Sequence, residues 1–371
     1  MTPQGIATLV AGGGFAIAFV FGFVGAKANF CTMGALSDVV NMGHWGRVRM
    51  WLLAVAVAVI GASALSYAGL VDLSASVTQR PVLPWLSLLA GGFAFGVGMT
   101  LAGGCANRNL IRVGGGSLRS IVVLTFAAIA GYMTLKGLFG QWRATLLDPV
   151  SINLGERGWS DQSLATAFAR FAGVEPRAAL VGVAAIVAAA LLLFVFRDRR
   201  FRANRLQLAA GVALGALVVA GWYLSGHIGY GENPETLETV YFATNTRTIE
   251  SLSFIAPLAY SLELLMRWTD TSLTATFGIA SVVGVVAGSA THALTSRTFR
   301  WEGFASVHDL RNQLFGAVLM GFGGVTALGC TIGQGISGLA TLAIGSFIAT
   351  GAIVAGSVAT LKYTLWKEEL E

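Results

Sequence analysis

Three cysteines are the residues best placed to do chemistry, because each stands where glycines interrupt an apolar segment. Cys31 follows Gly22 by nine residues, Cys105 ends the run Gly103-Gly104-Cys105, and Cys330 lies in Gly329-Cys330-Thr331-Ile332-Gly333-Gln334-Gly335. A break in a helix frees backbone N–H groups, and the next helix start adds the positive end of its dipole. An anion can be held there without a buried Lys or Arg. A thiolate at such a point would repel the anion, whereas a neutral thiol donates a weak S–H hydrogen bond to it. A soft sulfur atom suits that donor better than a hard oxyanion competing with water. The three cysteines form no C-x-x-C pair and have no clustered histidines, which argues against a disulfide framework or a metal site. They read as free thiols, with no cofactor and no catalytic constellation.

The elements that must position these thiols repeat. Gly91, Gly96, Gly98 and Gly104 precede Cys105 at the same offsets at which Gly316, Gly321, Gly323 and Gly329 precede Cys330. Cys31-Thr32-Met33-Gly34 echoes Cys330-Thr331-Ile332-Gly333 as a weaker third copy. Residues 312 to 361 hold fifty positions without Asp, Glu, Lys, Arg or His. One helix of that length would rise about 75 Å, against a hydrocarbon core of ~30 Å. The chain must fold back, and broken backbone at membrane depth is tolerated only where protein buries it or it lines a cavity.

Hydrophobic residues make up 55% of the chain and charged residues 11%, which excludes a soluble domain and indicates an all-α polytopic membrane protein. Nine spans are expected: Ile6 to Ala26, Met50 to Val71, Leu83 to Gly103, Ser120 to Lys136, Ala178 to Phe196, Leu206 to Ser225, Thr271 to Thr291, Gln313 to Leu328 and Thr341 to Leu361. Ile6 to Ala26 reads as a retained span rather than a cleaved signal, with no basic residue before it. Short segments Thr32 to Gly43, Asn107 to Val113, Pro257 to Trp268 and Ile332 to Leu339 are expected as re-entrant half-helices. With the arginine-dense stretch from Arg197 to Arg205 cytoplasmic, sixteen Lys and Arg fall inside and eight outside. That places the N-terminus outside and the C-terminus in the cytoplasm. The spans divide four, one, four, the parity of an inverted repeat: 1–140 as the first repeat, 141–205 as external loop and linking helix, 206–371 as the second repeat. The Ser251-Leu252-Ser253-Phe254 stretch occupies the fourth break without a thiol.

Other polar residues flank the breaks. Gly104, Gly329, Gln334, Asn29, Asn107 and Arg108 are candidates to line a path, although each polar one could equally satisfy nearby carbonyls. His44, His227, His292 and His308 sit at span ends or in loops, where solvated roles outweigh metal ligation. Gly114-Gly115-Gly116 lacks a Lys-Ser/Thr ending and reads as a flexible turn rather than a phosphate loop. The loops 141–177 and 226–251 are polar enough to fold outside the bilayer, and Glu232, Glu235, Glu238 and Glu250 make the second acidic. The net charge of +6 comes from arginines dispersed between spans, so no nucleic-acid partner is expected. No Asp or Glu lies within an expected span, which disfavours a buried carboxylate relay.

The glycine-rich spans ending at Cys31, Gly104-Cys105 and Gly329 to Gly335, together with Ser251 to Pro257 and Phe299-Arg300-Trp301-Glu302-Gly303-Phe304, resemble the YeeE/YedE family of membrane transporters over almost the whole chain. The resemblance implies a bacterial inner-membrane protein with short central helices that takes up thiosulfate or a related sulfur-containing anion through a narrow route. Cys31, Cys105 and Cys330 would be its thiols. It also implies a cytosolic TusA-like sulfur carrier or rhodanese as a candidate partner. A selenium or other sulfur-species transporter, a membrane sulfurtransferase using a cysteine persulfide, and a scaffold docking a sulfur carrier stay open as alternatives.

Overall fold

Small residues let helix backbones approach closely where no hydrophobic force drives them together, and the glycines of this chain are placed to do that. The computed structural model describes residues 2–232, 238–304 and 306–370; Glu235 and the side chain of His308 lie outside them. The described helices are α1 (Pro3–Lys27), α2 (Thr32–Met42), α3 (Gly46–Tyr67), α4 (Trp85–Leu101), α5 (Ala106–Gly114), α6 (Leu118–Lys136), α7 (Leu138–Trp142), α8 (Leu164–Ala172), α9 (Pro176–Phe196), α10 (Arg199–Ala203), α11 (Arg205–Tyr223), α12 (Ile255–Met266), α13 (Phe277–Thr295), α14 (Val307–Thr326) and α15 (Ile344–Leu370). Described strands are confined to two small antiparallel pairs, β1 (Val82–Leu83) with β2 (Ile152–Asn153) and β3 (Tyr230–Glu232) with β4 (Thr239–Tyr241). The chain is thus an all-α polytopic membrane protein. Eight described segments are long and apolar enough to cross a membrane, among them Pro3–Met42 and Trp85–Gly114, which each join a long helix to the short one after it. The remaining expected span, Gln313 to Leu328, falls on α14.

Gly91 and Gly98 of the first glycine set meet Gly323 and Gly316 of the second in space. A Cβ on Gly98 of α4 would stand 2.6 Å from the Gly316 carbonyl oxygen of α14, and one on Gly316 would stand 2.7 Å from the Gly98 carbonyl oxygen. Gly91 closes in the same way on Ala327, and Gly323 on Phe95 and the Gly91 carbonyl. These pairings run in opposite directions along the two helices, so α4 and α14 cross antiparallel, backbone to backbone. Gly96 then faces the Ile353 carbonyl of α15, while its sequence counterpart Gly321 faces the Ala127 carbonyl of α6. Each glycine helix therefore packs on the other, and on the helix that follows the other's break. The α1–α13 pair is built likewise, with Gly22 against Val285 and Gly288 against Phe19.

The four short segments expected from the sequence are present as α2, α5, α12 and a single π-helical stretch, Gly333–Gly338. The Gly114-Gly115-Gly116 run is not the flexible turn expected. The N–H of Arg300 donates to the Gly115 carbonyl at 3.0 Å and that of Glu302 to the Gly116 carbonyl at 3.2 Å. Gly116, with φ +99°, lies directly against the Arg300 backbone, so its missing Cβ makes the contact possible.

Candidate functional site

The three cysteines sit on the same backbone construction. Before each, a helix ends with the paired hydrogen bonds that close a left-handed cap. At the first break Asn29 N–H donates to Ala26 and Phe30 N–H to Gly25; at the second Gly103 donates to Thr100 and Gly104 to Met99; at the third Leu328 donates to Val325 and Gly329 to Gly324. The residue two before each cysteine is the left-handed one: Asn29 at φ 52°, Gly103 at 69° and Leu328 at 58°. Cysteine then takes the position just before a new short helix, in extended backbone for Cys31 (φ −156°) and Cys105 (φ −68°). The left-handed residue turns the chain, the next residue carries it across, and the thiol arrives at freed N–H groups.

Those N–H groups are used. Gly34 N–H donates to Cys31 Sγ at 3.2 Å and Gly333 N–H to Cys330 Sγ at 3.5 Å. A sulfur that accepts an N–H keeps its own S–H for another acceptor. Cys105 makes no such cap bond. All three thiols are buried and free. The Cys31 thiol lies beside that of Cys105, and Thr331, the residue after Cys330, approaches Cys105 from the third break. Cys105 is the middle member.

The flanking polar residues divide by role. Gln334 reaches across its own break, donating from Nε2 to the Ala327 carbonyl at 2.7 Å, which satisfies an end carbonyl of α14; its Oε1 has no partner. Asn109, which sequence reasoning did not single out, does the equivalent at the second break, donating to the Gly104 carbonyl at 2.8 Å and the Cys105 carbonyl at 3.3 Å. Its only signal in the sequence was being Asn four residues after a cysteine. Asn107 is buried with neither side-chain atom paired, and the buried hydroxyls of Thr32 and Thr331, each directly after a cysteine, are also unpaired. Asn29 accepts from Arg108 at 3.3 Å. Gly104 and Gly329 carry the chain from the left-handed turn to the thiol.

Two cavities flank this centre. One, of about 340 Å³, is lined by Lys27, Asn29, Arg108, Arg112 and Arg300, with His292 and Glu302. The other, of about 100 Å³, is lined by the 245–253 segment, Trp222 and Tyr260, and on its inner side by Leu328, Gly333 and Ser337. Residues adjoining Cys31 and Cys105 thus wall the arginine-side cavity, and residues adjoining Cys330 wall the loop-side cavity. The break without a thiol also contributes: Ser253 lines the loop-side cavity, and the Leu252 carbonyl accepts from Ser337 at 2.7 Å.

A long apolar bundle with a polar, thiol-bearing centre between two cavities has the build of a transport protein. A sequence model described as Sulphur transport matches residues 27–359. The chain belongs to this sulphur transport, or YeeE/YedE, family. It is similar to the thiosulfate transporter TsuA of Escherichia coli strain K12, at 26% identity over 334 residues, which cover 85% of this chain and 84% of that protein. It is also similar to the thiosulfate transporter TsuA of Spirochaeta thermophila, at 24% identity over 354 residues, 93% of this chain and 96% of that protein. Membership in the sulphur transport family makes the chain a multi-pass membrane transporter rather than an enzyme, and its matched region takes in all three cysteines.

Proposed function

We propose that this protein takes up thiosulfate, or a closely related anion with a terminal sulfur, along a route of three thiols. The anion meets Cys330 first, Cys105 next and Cys31 last, and leaves through the arginine-side cavity. The observation that carries the reading is the threefold recurrence of one turn that delivers a buried thiol to a helix start, with a cavity on either side. N–H groups hold two of the sulfurs, leaving S–H bonds to be made to a soft acceptor. The four cations of the arginine-side cavity favour arrival there. The antiparallel glycine contacts of α4 and α14 support the inverted-repeat reading of residues 1–140 and 206–371. The gathering of Lys27, Arg108, Arg112 and Arg300 at one end supports a cytoplasmic face there, with the 226–251 loop and the N-terminus outside. A cytosolic TusA-like carrier or rhodanese would collect the anion at the arginine side.

Uptake of sulfur-labelled thiosulfate into proteoliposomes tests the reading. Wild type accumulates label, Cys105→Ser and Cys330→Ala lose it, and unlabelled sulfate competes poorly. Label found covalently on a cysteine, without accumulation, would sink the route and favour a sulfurtransferase.

A further inference from the structure

The loop-side cavity has the wrong charge for its proposed cargo. Among the described residues its lining holds one carboxylate, Glu250, and no Lys, Arg or His. Among the described residues, too, Glu250 forms no ion pair, in contrast to Glu263 of α12, which holds Lys136 at 2.6 Å and Arg267 at 3.3 Å. Glu250 instead accepts from Thr246, through the backbone N–H at 3.0 Å and the hydroxyl at 2.7 Å. Its backbone is pinned to Ser225, whose hydroxyl accepts from Glu250 N–H at 3.1 Å and donates to the Glu250 carbonyl at 2.5 Å. The carboxyl is thus held at a fixed place in the wall through which the proposed substrate enters.

Among the described residues the cavity lining offers no compensating charge, and His227, two residues beyond Ser225, is exposed and bonded to the Leu70 carbonyl at 3.0 Å. From α12 the facing titratable group is Tyr260. Trp222 at the end of α11, Val77 and Thr78 of the 3₁₀ turn Val77–Gln79, and Gly278 at the start of α13 also line it and carry no charge. Arg143 acts on Tyr260 rather than on Glu250, and Arg247, in the same segment as Glu250, is exposed. Glu250 lies outside the spanning helices. Burial pushes its carboxyl above the ordinary glutamate value, outweighing the opposing bonds from Thr246 and Asn245.

We propose that Glu250 is a proton-operated charge gate for the anion route: protonated, it leaves the loop-side cavity neutral and open to an anion; ionised, it excludes the anion. The inference rests on the transport reading and on the loop side facing outward. The direction follows from the raised value. A carboxyl shifted upward is neutral at acid pH and becomes charged as pH rises through a point above the usual glutamate range. Thiosulfate stays a dianion throughout, so its own charge contributes no such dependence. Uptake is therefore fastest with an acidic exterior and falls as the exterior is made alkaline.

The test is initial-rate uptake of labelled thiosulfate into proteoliposomes at a fixed internal pH, with external pH stepped from roughly 5 to 8, about the span over which raised carboxyls titrate. Three proteins are compared: wild type, Glu250→Gln and, as a control, Glu238→Gln, which removes an exposed acid of the same loop. The amide introduced by Glu250→Gln keeps an acceptor for Thr246, so the loop retains its bonds. Wild type and Glu238→Gln are expected to slow about tenfold across the range, while Glu250→Gln stays within about twofold and exceeds wild type at the alkaline end, as loss of one like-charge repulsion requires. A wild type that transports equally at every pH, or a Glu250→Gln profile that follows wild type, overturns the gate and leaves the transport reading standing. A wild type inert at every pH overturns both.

Discussion

The breaks at Cys105 and Cys330 share one backbone path but are stabilised by different side chains. At Cys105 the left-handed residue is Gly103, the following segment is a regular α-helix, and Asn109 secures the carbonyls of Gly104 and Cys105 from within it. Arg108 and Arg112 of that helix reach the arginine-side cavity. At Cys330 the left-handed residue is Leu328, a π-helical stretch follows, and Gln334 reaches backward to the Ala327 carbonyl. From Cys330 to Ala343 every residue is buried and none is charged. A wide turn of i→i+5 type often marks a functional position in a helix. What recurs is the turn and the thiol; what differs is the connection to solvent. One break opens onto cations, the other onto a small cavity whose described charge is an acid.

If the two breaks are equivalent halves of one construction, damage to their shared contact should be the most severe and should not depend on which half is struck. A Cβ at Gly98 or at Gly316 would drive into the opposing helix backbone, which cannot rotate away as a side chain can. Gly98→Ala and Gly316→Ala are each expected to lower stability by about 3 kcal/mol, at the upper end of overpacking costs. Gly351→Ala, inside α15, has nothing within 4 Å of the new Cβ and is expected to stabilise slightly, by about 0.5–1 kcal/mol. Thermal unfolding of detergent-purified protein measures all three. A large loss at Gly98 with none at Gly316 would break the equivalence.

The offsets Gly91, Gly96 and Gly98 against Gly316, Gly321 and Gly323 were legible because close helix approach leaves only one residue type possible at each contact. The four short segments were legible for a related reason: glycine and a polar residue inside an apolar run have few explanations in a membrane. The left-handed turns at Asn29 and Leu328 were not. Their conformation is set by a pair of backbone hydrogen bonds that Leu makes as well as Gly, so residue type carried no sign of it at Leu328 and only the general preference of Asn for that region at Asn29. Glu250 was visible only as part of an acidic loop, since its isolation from cations depends on Tyr260, Trp222 and Gly278, which come together only in three dimensions. Gly114-Gly115-Gly116 misled because glycine permits both a loose turn and a tight contact, and the partner, Arg300 to Glu302, lies far along the chain.

A smaller effect separates the two breaks by their tethers. Asn109→Ala leaves the Gly104 and Cys105 carbonyls without that donor, whereas Gln334→Ala abandons the Ala327 carbonyl but also removes an unpaired buried Oε1. Loss of a buried bond costs about 1–3 kcal/mol, and removing an unsatisfied oxygen offsets part of it. Asn109→Ala is expected at about 2 kcal/mol and Gln334→Ala at about 1 kcal/mol in the same unfolding measurement. The reverse order would mean that the π-helical break depends more on its side-chain tether than the α-helical one.

The smallest effect concerns the turn itself, where the breaks use opposite residues. A non-glycine residue in the left-handed region costs about 1–2 kcal/mol, so Leu328 holds strain that Gly103 does not. Gly103→Ala has room for its Cβ, the nearest atom being Arg112 Nη1 at 3.8 Å, so its cost is the backbone's alone, about 1 kcal/mol. Leu328→Gly should gain that amount back, less about 0.5–1 kcal/mol for the greater freedom of glycine in the unfolded chain. The net is at most a slight stabilisation. Strained residues persist where the surrounding structure uses them, and Leu328 is 37% exposed, with its side chain in the wall of the loop-side cavity. Leu328→Gly is therefore expected to leave the unfolding temperature unchanged or slightly raised while making sulfate a better competitor of thiosulfate uptake, because the cavity loses an apolar wall that disfavours a hard oxyanion. A variant less stable than wild type, with selectivity intact, would mean that Leu328 is kept for packing and that its left-handed turn stores no strain for the site to use.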